Sequence, residues 1–254
     1  MRQDATGPIR ILTLLASALF ACALIVGVGL LLLGCGGAKE TPDSAASGTR
    51  GAKVAFSAAD GVSLGGHVFG SGHSGIVLAH MYPADQTSWF ATAAELAARG
   101  YLVLTFDFRG YGESPGTKQI DQIDKDVDAA VKEIQSLGAT SLALVGASMG
   151  GTASLVVAAR HPVAAVATLS APVEFQGLSA RQAVTTVTAP KLFLAAEKDA
   201  GAAGARDLYT LAPDPKEIKI FPGSDHGTAL LFGSSAADVR TILFAFLEKN
   251  LPPG

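Results

Sequence analysis

Residues 141–160 read SLALVGASMGGTASLVVAAR. An apolar run of strand length, SLALVGA, passes through Ser148 into an apolar, proline-free stretch of helix length. A serine at such a strand-to-helix junction sits on a sharp turn, where backbone crowding calls for small neighbours. Gly146, Gly150 and Gly151 supply them. The N-terminal N–H groups of the following helix point at the same spot and favour developing negative charge there. Gly146-Ala147-Ser148-Met149-Gly150 therefore fits the G-x-S-x-G pattern of an exposed serine nucleophile. A phosphate-binding loop would need Lys-Ser or Lys-Thr after its glycines, and Gly150-Gly151-Thr152 has no lysine.

Outward from this stretch, short apolar runs alternate with helical periodicity. GIVLAH (75–80), YLVLTFD (101–107), VAAVATLS (163–170), KLFLAA (191–196) and EIKIF (217–221) read as strands. Their nearly continuous apolar character is that of parallel strands buried on both faces. Helices are expected over 87–99, 121–137, 149–160, 178–187, 203–211 and 235–249. KVAFSA and VSLGGHVF, joined through Asp60-Gly61, read as an antiparallel hairpin ahead of the parallel series. Strand–helix alternation implies right-handed crossovers and helices on both faces of one sheet. The fold class is α/β, and one domain is expected over residues 53–254. The connection between VAAVATLS and KLFLAA is only about 20 residues, too short for a separate cap domain.

On the Ser148 motif, its context and the order of the strands, the chain resembles the α/β-hydrolase superfamily from Lys53 to about Leu247. The resemblance implies a serine nucleophile followed along the chain by an acid and then a histidine. A serine hydroxyl attacks well only when a base takes its proton and a carboxylate orients that base. His226, in the loop Pro222-Gly223-Ser224-Asp225-His226-Gly227 after EIKIF, stands where the family carries its histidine. Asp199 comes after KLFLAA at the carboxyl end of a strand, where side chains reach the crevice of an α/β sheet. Glu174 is the rival acid, because some relatives carry theirs after the preceding strand. His161 reads as a surface cap.

An oxyanion hole needs two backbone N–H groups. The resemblance assigns one to Met149. The loop His80-Met81-Tyr82-Pro83 resembles the His-Gly-aromatic-Pro of small esterases and non-haem haloperoxidases and assigns the other to Tyr82. Met81 replaces the usual glycine, and its own N–H is the alternative. His80 reads as a loop-fixing residue. Asp107-Phe108-Arg109-Gly110-Tyr111-Gly112-Glu113-Ser114 resembles a structural loop of the family, with Arg109 expected to bond neighbouring backbone. Serine at position 148 argues against dehalogenases and epoxide hydrolases of this fold, which use aspartate there. The activity implied is carboxylic ester hydrolysis through an acyl-enzyme, on a small-molecule ester, without cofactor or metal. Peptidase or thioesterase chemistry with the same residues, and a catalytically silent ligand-binding protein, stand as alternatives.

Hydrophobic residues make up 49% of the 254 and charged residues 16%, enough apolar material for a full core. A net charge of -3 gives no electrostatic reason to expect nucleic acid. The run 11–33 holds no charge and no proline, and Arg2 and Arg10 precede it. As a helix it would span roughly 34 Å, enough for a bilayer core. The flanking positive charge favours export of the chain beyond the run out of the cytoplasm. Leu32-Leu33-Gly34-Cys35 resembles a bacterial lipobox, which implies cleavage before Cys35 and lipid on its sulfur. An uncleaved anchor is the other reading. Cys22 and Cys35 are the only cysteines, so no disulfide framework is available after residue 35. Residues 36–52, rich in Gly, Ser, Ala and Thr, read as a tether reaching on the order of 20–25 Å. The three expected segments are thus 1–35, 36–52 and 53–254, with the last held outside the cytoplasm at the membrane.

Overall fold

The computed structural model describes residues 50–254. The run 11–33, Cys22, Cys35 and all but the last three residues of the 36–52 segment lie outside the described residues, and with them the lipid and anchor readings. In chain order the elements are β1 (Ala52–Ser57), β2 (Ser63–Phe69), β3 (Ser74–Ala79), α1 (Phe90–Ala98), β4 (Leu102–Phe106), α2 (Ile123–Ser136), β5 (Ser141–Ala147), α3 (Met149–Ala158), β6 (Ala165–Leu169), β7 (Glu174–Phe175), β8 (Leu178–Ser179), β9 (Lys191–Ala196), α4 (Gly201–Leu211), β10 (Lys216–Phe221) and α5 (Ala236–Asn250). Eight strands form one sheet in the order β1-β2-β4-β3-β5-β6-β9-β10. β2 pairs antiparallel with both β1 and β4, and the other pairs of this sheet are parallel.

The apolar runs make this sheet because each residue in them finds a covered face. Ile76 and Leu78 of β3 pack with Ala93 and Leu96 of α1 and with Val239 and Leu243 of α5. Their alternates Val77 and Ala79 pack with Val127 of α2, Ala153 of α3 and other residues on the opposite side. The period of two along the strand thus distributes one apolar run over two cores. Asp85 begins the first helical segment by accepting the Thr87 N–H at 2.9 Å, and Trp89 is fully buried against the sheet. Among the described residues no helix is long and apolar enough to cross a membrane.

One expected element is absent. Residues 178–187 are not a helix: β7 and β8 form a short hairpin of two residues a side, followed by a single 3₁₀ turn at Ala183–Thr185. Gln176 and Gly177 both have positive φ, at 47° and 90°, which is the turn geometry of a tight hairpin. The Ala180 N–H then bonds back to Val173 O at 2.8 Å, closing the loop instead of starting a helix. The excursion between β6 and β9 holds only this hairpin and turn, and no cap domain is present there.

Candidate active site

Ser148 lies between β5 and α3 with φ 48° and ψ -118°, a backbone conformation that costs a non-glycine residue about 1–3 kcal/mol. Its N–H donates to Leu169 O at 2.8 Å, so the end of β6 holds the turn in place. A Cβ at Gly146 would overlap Gly150 O, and one at Gly150 would stand 2.5 Å from both Ala79 O and His80 O. Only glycine fits at either position. The turn presents Ser148 to a cavity of about 300 Å³ that His226 and Tyr82 also line; Pro172, Phe175 and Ala200 give it apolar walls.

His226 Nδ1 lies 2.8 Å from Asp199 Oδ1. A carboxylate can only accept, so the imidazole carries its proton on Nδ1 and leaves the Nε2 lone pair free. The Asp199 side chain is nearly buried and the His226 ring partly exposed. Among the described residues no hydrogen bond joins Ser148 Oγ to His226; the two share the cavity. Hydrogen bonds of this kind are commonly long until substrate binds. Glu174, the rival acid, stands exposed in β7 and makes no bond to His226. Asp225 points the other way, its carboxylate against Gly233.

Directly after Ser148, Met149 opens α3, so its N–H has no acceptor within the helix. Tyr82 stands on the cavity wall, its ring 5.9 Å from that of Phe175. His80 fixes the loop between β3 and Tyr82. Its Nε2 accepts the Phe108 N–H at 3.1 Å, so Nδ1 carries the proton and donates to Met81 O at 3.0 Å. Burial pushes this imidazole below its ordinary 6.5, which keeps that neutral tautomer in place. Met81, in the place of a glycine, packs its sulfur against Gly227 and receives the Thr228 hydroxyl at 3.7 Å. The substituted residue thereby ties the Tyr82 loop to the His226 loop.

The Asp107–Ser114 loop differs from expectation in one respect. Arg109 does not bond neighbouring backbone. Its guanidinium is buried and pairs with Asp126 of α2 at 2.6 Å and with Asp60 of the β1–β2 turn at 2.9 Å. Asp107 serves the backbone instead, accepting the Gln86 and Glu113 N–H groups at 2.8 Å each. Two residues of the cavity wall have no signal in local pattern: Phe175, on the β7–β8 hairpin, and Ser170, the polar last residue of VAAVATLS.

Against known proteins, the family model described as alpha/beta hydrolase fold matches residues 76–199. The chain is 26% identical over 203 residues to an uncharacterized protein of Mycobacterium tuberculosis, covering 69% of this chain and 72% of that one. It is 31% identical over 110 residues to a non-heme haloperoxidase of Rhodococcus erythropolis, covering 43% and 40%. Among solved structures, the Pyrococcus furiosus esterase Pf2001 superposes with a TM-score of 0.70 at 16% identity, over 79% of this chain and 92% of the other, a likeness of fold alone. With its mostly parallel sheet, its leading antiparallel hairpin and this match, the chain has the α/β-hydrolase fold.

Proposed function

We propose that the protein is a serine hydrolase that cleaves carboxylic esters of small molecules, with Ser148 as nucleophile, His226 as base and Asp199 as the orienting acid. The observation that carries this reading is a strained serine turn opening on the same cavity as a histidine held at Nδ1 by a buried carboxylate. Ser148 Oγ attacks the ester carbonyl as its proton passes to His226 Nε2. The Met149 and Tyr82 N–H groups receive the oxyanion. Collapse of the tetrahedral species expels the alcohol, which takes the proton from His226 and leaves the acyl group on Ser148. Water, deprotonated by His226, then releases the acid and restores the serine. A cavity of about 300 Å³ is at the small end for ligand sites, so short acyl chains are the preferred substrates.

The test is a panel of nitrophenyl esters of increasing acyl length, with a fluorophosphonate probe, on the full chain. Ser148→Ala should lose probe labelling and on the order of 10⁴-fold or more in kcat, with the fold intact. Unchanged turnover in that variant would remove Ser148 from the mechanism. A wild-type chain that neither labels nor hydrolyses would favour the binding-protein alternative. We propose further that the domain works outside the cytoplasm, held at a membrane through Cys35 or through the 11–33 run itself.

A further inference from the structure

We propose that Ser170 is a positioning residue for the acid of this site, its hydroxyl donating to Asp199 Oδ2 through one ordered water. The proposal rests on the reading of Asp199 as the acid that orients His226. Asp199 Oδ1 is engaged by His226, but Oδ2 is buried and has no hydrogen-bond partner among the described residues. Ser170 is 0% exposed, and its Oγ is likewise buried and without a partner. One orphan is an acceptor and the other can donate. Leaving either unpaired costs the full desolvation of the group, more so for a carboxylate oxygen.

The backbone brings the two residues to one place. β6 and β9 are parallel neighbours in the register Leu169↔Leu194, and the Ser170 N–H donates to Leu194 O at 2.7 Å. Just beyond the end of β9, the turn carrying Asp199 closes through its N–H to Ala196 O at 3.1 Å. α4 then starts directly against Ser170: a Cβ at Gly201 would lie 2.7 Å from the Ser170 Cβ. On the other side, Leu169 O holds the Ser148 N–H. Ser170 therefore stands between the nucleophile turn and the acid turn. Thr168, whose hydroxyl is also unpartnered, faces Gly151 of α3 instead. Ser170 also holds φ at 58°, and strained non-glycine backbone of this kind clusters where a side chain is needed in one position.

Ser170→Gly and Ser170→Ala in the full chain separate the hydroxyl from the backbone. Glycine adopts positive φ without strain, so a purely conformational role predicts a Ser170→Gly protein at least as good as wild type. The readouts are the downfield proton resonance of His226 Nδ1–H, identified by its loss in His226→Gln, and kcat and KM for a short-chain ester. In both variants the resonance should broaden through faster solvent exchange. kcat should fall about 10-fold, short of the roughly 100-fold that a 1 Å misplacement can cost, with KM unchanged. An unaltered resonance and kcat in Ser170→Gly would overturn the proposal. So would a raised KM at unchanged kcat, which would assign the hydroxyl to the substrate. If the wild-type chain hydrolyses no ester, the esterase reading fails, while the resonance still decides whether Ser170 holds Asp199.

Discussion

His80 does two jobs with one ring, and one of them, accepting the Phe108 N–H at Nε2, depends on its being neutral. Protonation would place a hydrogen on Nε2 facing the Phe108 N–H, which now donates to it at 3.1 Å. Burial holds its folded-state value below the 6.5 of an unfolded chain. Below 6.5 the unfolded state binds the proton more readily, so His80 stabilises the fold fully above that pH and less as pH falls. The melting temperature of the wild type should therefore drop between about pH 7.5 and 5. His80→Gln should start lower and show a flatter slope; equal slopes would show that His80 does not titrate with unfolding. The acid is testable in the same residue-by-residue way. Asp199→Asn should lower kcat by about 10⁴-fold, because the amide can donate to Nδ1 and reverses the tautomer. Glu174→Gln alters an exposed side chain with no bond to His226, and should leave kcat within about twofold of wild type. The reverse result would move the acid to the hairpin.

Between elements, the joint that matters most is Arg109, which ties the β1–β2 turn to α2. Asp126 accepts from the Arg109 main-chain N–H at 3.0 Å and from Nη2 at 2.6 Å. Burial holds the Asp126 carboxyl above its ordinary value, against the lowering by these bonds. Asp126→Asn leaves a buried guanidinium without its main partner and should cost about 3–5 kcal/mol in denaturant unfolding. Asp60 is more open to solvent, so Asp60→Asn should cost about 1 kcal/mol or less. Hydrogen bonding from Arg109 holds Asp60 down from 3.8 to about 2, so its contribution is present above about pH 4 and lost as pH falls toward 2. Asp60→Asn should remove that part of the acid unfolding curve. These partners also mark the limit of what the sequence discloses. The elbow at Ser148 and the buried strands are legible because each is local: a five-residue motif, an unbroken apolar run. Arg109 meets Asp126 and Asp60 at separations of 17 and 49 residues, which no local pattern records. The hairpin at 174–179 escapes such a reading for the opposite reason. The helix-like spacing of Ala180, Val184 and Val187 is real, and all three are buried, but positive φ at Gln176 and Gly177 commits the chain to a turn.

At the scale of the whole chain, the catalytic proposal and the location proposal meet at residues 36–52. A short polar tether would let a domain with an open apolar cavity work on esters presented from solution beside a membrane. The sequence offers two ways of holding it there, and they differ in covalent chemistry. Lipidation is suggested by Leu32, Gly34 and Cys35 standing in lipobox positions behind an apolar run with Arg2 and Arg10 on its leading flank. One acyl chain binds a membrane only marginally and two or more hold a protein stably, so a lipidated Cys35 would need no spanning segment. An uncleaved anchor needs none of the Cys35 chemistry, because a charge-free run of this length can itself span roughly 30 Å of hydrocarbon. Mass spectrometry of the membrane-extracted protein separates the two. A mature N-terminus at lipid-modified Cys35 is the expected result, and Cys35→Ser should then block maturation. An intact N-terminus, with Cys35→Ser still bound to the membrane, would replace the lipid with the anchor. Full-length protein recovered in the soluble cytoplasmic fraction would defeat both, and with them the placing of the domain outside the cytoplasm.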